Sequence, residues 1–164
     1  MTDEPASTQR QDMTAGSASI ARAHRRTSLR ALHLLEYALA APAPRRQRTW
    51  VHRVTNALDA LARALGEQTQ ADEQSIGLLA EIALSHPRYA LQVRQLRQEL
   101  LDVAIAVASV REQIEPDPER GIDAADIRDK LASVTRRIRG YHAREADLVF
   151  DAIGIAMEDD PGLL

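Results

Sequence analysis

The chain has 164 residues, enough for one domain with a hydrophobic core and too few for two comfortable ones. Apolar residues make up 45% of it, mostly Ala and Leu, with only 3% aromatics and seven each of Gly and Pro, a mixture that favours packed helices over sheet. A formal charge of −3 with acids and bases interleaved argues against a nucleic-acid face or a polybasic membrane anchor, and the absence of cysteine excludes disulfides, thiolate metal sites and a cysteine nucleophile.

Residues 1–17 are rich in Thr, Ser, Gln and acids, contain a proline and show no sustained apolar period, so a disordered N-terminal tail is expected there. The N-terminus has no hydrophobic signal core, and no segment approaches the roughly 18 apolar residues of a membrane span. A cytoplasmic protein is the expectation. From Ser19 the residues Ile20, His24, Thr27, Ala31, Leu34, Leu35, Ala38 and Leu39 predict a first helix that stops before Pro42 and Pro44. A second helix opens on Arg45, Arg46 and Arg48, carries Trp50, Val54, Ala57, Leu58, Leu61, Ala64 and Leu65, and is expected to fray or bend between Gly66 and Ala71.

A short helical segment follows from Asp72, a plausible cap, to Ser85, with Leu78, Leu79 and Ile82 on its apolar side. His86-Pro87 breaks it and starts the next helix, since proline suits a first helical turn and resists the interior. That helix places Tyr89, Val93, Leu96, Leu100, Val103, Val107 and Val110 at steps of three and four and ends before the Glu115-Pro116-Asp117-Pro118 loop.

The longest helical pattern runs from Ile122 to Asp160. Ile127, Leu131, Val134, Ile138, Tyr141, Glu145, Leu148, Ala152 and Ile155 draw a single stripe along it, and one member, Glu145, is a carboxylate where a hydrophobic residue belongs. A buried carboxylate is costly unless something pairs with it. Arg94 or Arg97 from a neighbouring helix, or a hydrogen bond from His24, would serve. The cluster of Arg136, Arg137, Arg139 and Arg144 avoids the stripe and reads as a solvated face. His33 and His52 read as boundary residues.

No strand pattern of useful length is present, and four long amphipathic helices with tight connections predict an all-α, up-down-up-down four-helix bundle over residues 18–160, with a tail at 161–164. No nucleophile, base and orienter set, phosphate loop or nucleotide fingerprint occurs, so enzymatic turnover is not expected.

The order of landmarks carries a resemblance. A histidine in the first helix, a tryptophan early in the second, Glu73-x-x-x-Gly77-Leu78, His86-Pro87-Arg88 with Leu96-Arg97-Gln98-Glu99, and Tyr141-His142-x-x-Glu145-x-Asp147-Leu148-Val149 together resemble the bacterial hemerythrin-like (HHE cation-binding) domain. The resemblance covers roughly Ile20 to Gly162. It implies a four-helix bundle around a non-haem di-iron centre held by histidines and bridging carboxylates, in a family of oxygen carriers, oxygen or iron sensors and stress-related proteins. Imidazole and carboxylate suit iron, and bridging carboxylates lower the repulsion between two ions.

Carried over by position, the resemblance implies His24 as the first-helix metal ligand and Glu73 as the bridging glutamate. In the fourth helix it implies either His142 with Asp147, or Tyr141 at the histidine position with Glu145 as carboxylate. The chain departs from the pattern elsewhere: Thr69 stands where a histidine precedes the bridging glutamate by one turn, and Leu100 follows Glu99 where the family has a histidine. Two readings follow. Either a reduced ligand set of His24, Glu73, His142, Glu145 and Asp147 still binds iron, or the bundle is a metal-free module for protein contact, its former pocket filled by Leu100, Ala104, Tyr141 and Thr69.

Overall fold

The computed structural model describes residues 4–41, 47–74, 77–114, 123–154 and Met157, with side chains from Asp12 and Arg48 onward in the first two helices. The described residues are almost entirely helical and contain no strand. They form α1 (Glu4–Ala40), α2 (Gln47–Glu73), the short α3 (Leu78–Ser85), a 3-10 turn (Pro87–Tyr89), α4 (Ala90–Ile114) and α5 (Ala124–Ile153). The predicted proline turn at Pro42 and Pro44 and the loop at residues 115–122 lie outside the described residues.

The long helices associate through the stripes their sequences carry. On α4, Val93, Leu96, Leu100, Val103, Val107, Val110 and Ile114 are buried, and on α5 Ile127, Leu131, Val134, Ile138, Tyr141, Glu145 and Leu148 are. From α2, Val54, Leu58, Leu61 and Leu65 add fully buried side chains. Each such side chain removed from water contributes about 1.5–3 kcal/mol before chain entropy is counted, which is why tertiary packing rather than helix propensity holds these segments. α1 packs on α2, α2 on α4 and α4 on α5, with α5 also against α1, while α3 lies against α1 and α4.

Helix ends follow their capping chemistry. Asp123 caps α5, accepting hydrogen bonds from the amides of Ala125 and Asp126 at 2.9 and 3.3 Å. At the other end Gly154 takes φ 68°, and its N–H bonds the Phe150 carbonyl at 2.8 Å. This left-handed cap ends α5 at Ile153, earlier than the acidic run where the sequence pattern placed the end; residues 158–164 lie outside the described residues. Arg128 near the start of α5 donates to the carbonyls of Leu39 and Ala41 at 3.2 and 3.0 Å and stacks over Trp50, its centroid 5.1 Å away. One cation thus ties the end of α1 to the starts of α2 and α5.

Three further boundaries differ from expectation. α1 is helical from Glu4, within the stretch expected to be a tail: Pro5 falls in the first turn, where proline is tolerated, and farther along Thr14 donates to Glu81 of α3 while Ala18 is buried. α2 runs through Gly66 to Glu73 without the expected break, because Leu65 and Gln68 on either side are buried and outweigh the propensity cost of one glycine, about 1 kcal/mol. Asp72 is therefore inside α2 and caps nothing at the start of α3, where Gly77 stands at the N-cap position without a side-chain cap.

The buried face of α1 also differs. Ala18, Arg25, Ser28, Ala31, Leu32, Leu35 and Ala38 face the core, whereas Ile20 and Leu34 are exposed. The inward stripe includes an arginine and a serine, which a search for apolar periodicity passes over.

Candidate functional site

Glu145 lies 4% exposed in the middle of the bundle, and α1, α2 and α5 each bring polar groups to it. Its Oε1 accepts from Gln68 Nε2 of α2 at 3.1 Å and from the Tyr141 hydroxyl, one turn earlier on α5, at 3.2 Å. Its Oε2 is 3.3 Å from His142 Nδ1 and 3.7 Å from Arg25 Nη1 of α1. Arg25 is as buried as its partner, and the same Nη1 donates to the His142 carbonyl at 2.7 Å.

The outer atoms of this network are engaged too. Gln68 Nε2 also donates to the Tyr141 oxygen at 2.9 Å, and Ser28 Oγ is 3.1 Å from His142 Nε2. These partners fit the histidine tautomer in which Nδ1–H donates to Glu145 and the Ser28 hydroxyl donates to Nε2. Burial first, then the charges of Glu145 and Asp72, push the Tyr141 phenol well above its ordinary pKa, so it remains a hydrogen-bond donor. A carboxylate offers about four lone-pair sites, and Glu145 has three hydrogen-bond donors and a guanidinium around it.

Asp72, one turn beyond Gln68, stands beside this network. Burial, outweighing the nearby Arg97 and reinforced by the charge of Glu145, pushes its carboxyl from 3.8 up to about 6. Its Oδ2 and Gln68 Oε1 are buried without a hydrogen-bond partner. Both residues line a cavity of about 20 Å³, together with His24 and Glu145, large enough for roughly one water.

The five residues implied as metal ligands are not assembled. His142 and Glu145 bond each other, and His24, half-buried, shares the small cavity with Glu145. Glu73 is exposed on the rim of a groove between α2 and α4. Asp147 is exposed in a different groove, between α4 and α5, beside Glu99 and Arg144. Among the described residues no three His, Asp or Glu side chains converge in a way that could hold a metal ion. This arrangement does not fit a di-iron centre.

Of the residues expected to fill the former pocket, Tyr141 does stand against Glu145, while two others are elsewhere. Leu100 and Thr69 line the α2–α4 groove rather than the cavity beside Glu145, and the Thr69 hydroxyl bonds its own helix at Leu65 O, 2.9 Å away. The partner expected for Glu145 was Arg94, Arg97 or His24; the structure supplies Arg25. Arg94 is exposed, and Arg97 Nη2 donates instead to the Asp72 carbonyl at 3.3 Å. The basic residues of α5 do face solvent, where Arg139 clasps Glu36 at 2.8 and 3.0 Å and Arg144 pairs with Glu99.

Arg25, Ser28 and Gln68 were missed in the sequence, and Asp72 was read there as a helix cap. A signal existed on α2, since Leu58, Leu61, Leu65, Gln68 and Asp72 continue one stripe at steps of three and four. On α1, Ala18, Arg25, Leu32 recur every seven residues, with Ser28 and Leu35 on the same face.

No family model, no curated protein and no solved structure matches the chain. No helix among the described residues is long and apolar enough to cross a membrane.

Proposed function

We propose that this chain is a hemerythrin-like, up-down-up-down four-helix bundle in which an internal ion pair has replaced the metal centre, and that it works by protein contact rather than by turnover. The resemblance of its landmarks and the packing of α1 on α2, α2 on α4, α4 on α5 and α5 on α1 support the architecture. The observation that carries the metal-free reading is the environment of Glu145: Gln68, Tyr141, His142 and Arg25 occupy its two oxygens. A metal ion entering there has to displace a buried guanidinium that already supplies the positive charge.

A reduced iron site is the second reading. His24 at the cavity beside Glu145, with the unpartnered Gln68 Oε1, favours it.

Anaerobic titration of the purified chain with ferrous iron, followed by calorimetry, separates the two. The metal-free reading predicts no saturable uptake in the parent. Stoichiometric uptake that is lost in both Glu145→Gln and His24→Ala would establish the reduced site and overturn the first reading.

A further inference from the structure

Arg97 and Asp72 carry opposite charges, sit on facing helices, and do not pair. The guanidinium is spent on the backbone oxygen of Asp72 at 3.3 Å, and no ion pair joins it to the carboxylate. Arg97 Nε, a donor, and Asp72 Oδ2, an acceptor, are both buried without partners. Buried polar atoms are almost always satisfied, so an unpartnered donor on one wall and an unpartnered acceptor on the other favour a group that can both accept and donate.

The two residues line one groove between α2 and α4 with a volume of about 300 Å³, at the lower end of the range for small-molecule sites. Its polar walls are segregated by helix. α2 contributes the acids Asp72 and Glu73; α4 contributes the bases Arg94 and Arg97. Between them lies apolar surface from Leu101, 42% exposed, with Leu100 buried at the groove floor. A simple anion would meet two carboxylates here and a simple cation two guanidinium groups, whereas a molecule with both charges a few ångströms apart meets each wall favourably.

We infer that the α2–α4 groove binds a small zwitterion of the α-amino-acid type, its carboxylate against Arg97 and Arg94, its ammonium against Asp72 and Glu73, and an apolar side chain on Leu101. Arginine is suited to the carboxylate end because its planar fork presents donors in the matching geometry. Asp72 also lines the small cavity beside Glu145, so the groove and the Glu145 network share this residue.

The test is isothermal titration of the full chain with leucine, glycine, acetate and ammonium as probes. Leucine binds saturably at one site per chain, glycine more weakly, and acetate or ammonium alone not detectably. Arg97→Gln weakens leucine binding at least about tenfold. Arg94 is exposed, so Arg94→Gln leaves folding intact, as judged by an unchanged melting temperature, and still weakens binding several-fold. Absence of saturable leucine binding at millimolar concentration overturns the inference. So does acetate binding as well as leucine, which would make the groove an anion site, and so does leucine binding that survives both arginine substitutions.

Discussion

Asp72 Oδ1 lies against Gly77, so close that a Cβ on the glycine would overlap it. The backbone there is ordinary, with φ −79° and ψ 155°, so the glycine is required for space and not for its conformational freedom. Gly77→Ala must push the carboxylate out of place and is expected to cost about 1–3 kcal/mol, the usual penalty of overpacking. In an Asp72→Ala background the same change costs far less. Denaturant unfolding of the two single variants and the double variant measures that coupling.

The raised pKa of Asp72 makes a signed prediction about acidity. Between its unfolded value of 3.8 and about 6, the folded chain keeps a proton that the unfolded chain has released. The unfolded state then binds fewer protons, so this group's contribution to stability falls as pH rises through that window and is level above it. Asp72→Asn removes the effect. The variant should exceed the parent by about 2–3 kcal/mol at about pH 8 and by nothing at about pH 4, read from denaturant midpoints.

Gly154 is the one described glycine with a positive φ, 68°, and open space surrounds the position of a Cβ. Gly154→Ala therefore meets no clash and pays only for the left-handed conformation, about 1 kcal/mol. Thermal melting should fall by a few degrees, with the far-ultraviolet spectrum unchanged.

Tyr141→Phe deletes one donor to Glu145 and the acceptor for Gln68 without changing the packing of the ring. A hydrogen bond to a buried charge is worth about 1.5–3 kcal/mol, so a loss near 2 kcal/mol is expected in denaturant unfolding.

How much of this was legible in the sequence depended on whether a buried position was apolar. The stripe of α5 from Ile127 to Leu148 could be read directly, Glu145 included, because its apolar neighbours fix the register on both sides. The same logic misled on α1, where Ile20 and Leu34 attracted the stripe though they are exposed, and the inward Arg25 and Ser28 looked like surface. A buried cation is recognisable only once its anion on another helix is placed beside it. Gly66 gave a local breaking signal that packing on both sides overrode, and the continued α2 then carried Gln68 and Asp72 inward. The end of α5 was set by a single left-handed glycine, which competes with helical periodicity rather than showing in it. The ligand residues implied by resemblance were placed by position in the chain, and position does not show that Glu73 and Asp147 are exposed in grooves away from Glu145.

Arg25 supplies the charge that keeps Glu145 in the core. A double-mutant cycle with Arg25→Met, Glu145→Gln and the two combined, measured by denaturant unfolding, tests this pairing. Each single substitution strands a buried group, so losses of about 3–5 kcal/mol are predicted for removing either partner. The double variant should lose markedly less than the sum, by at least about 1 kcal/mol. Strictly additive losses, or a Glu145→Gln variant as stable as the parent, would show that something other than Arg25 balances this carboxylate.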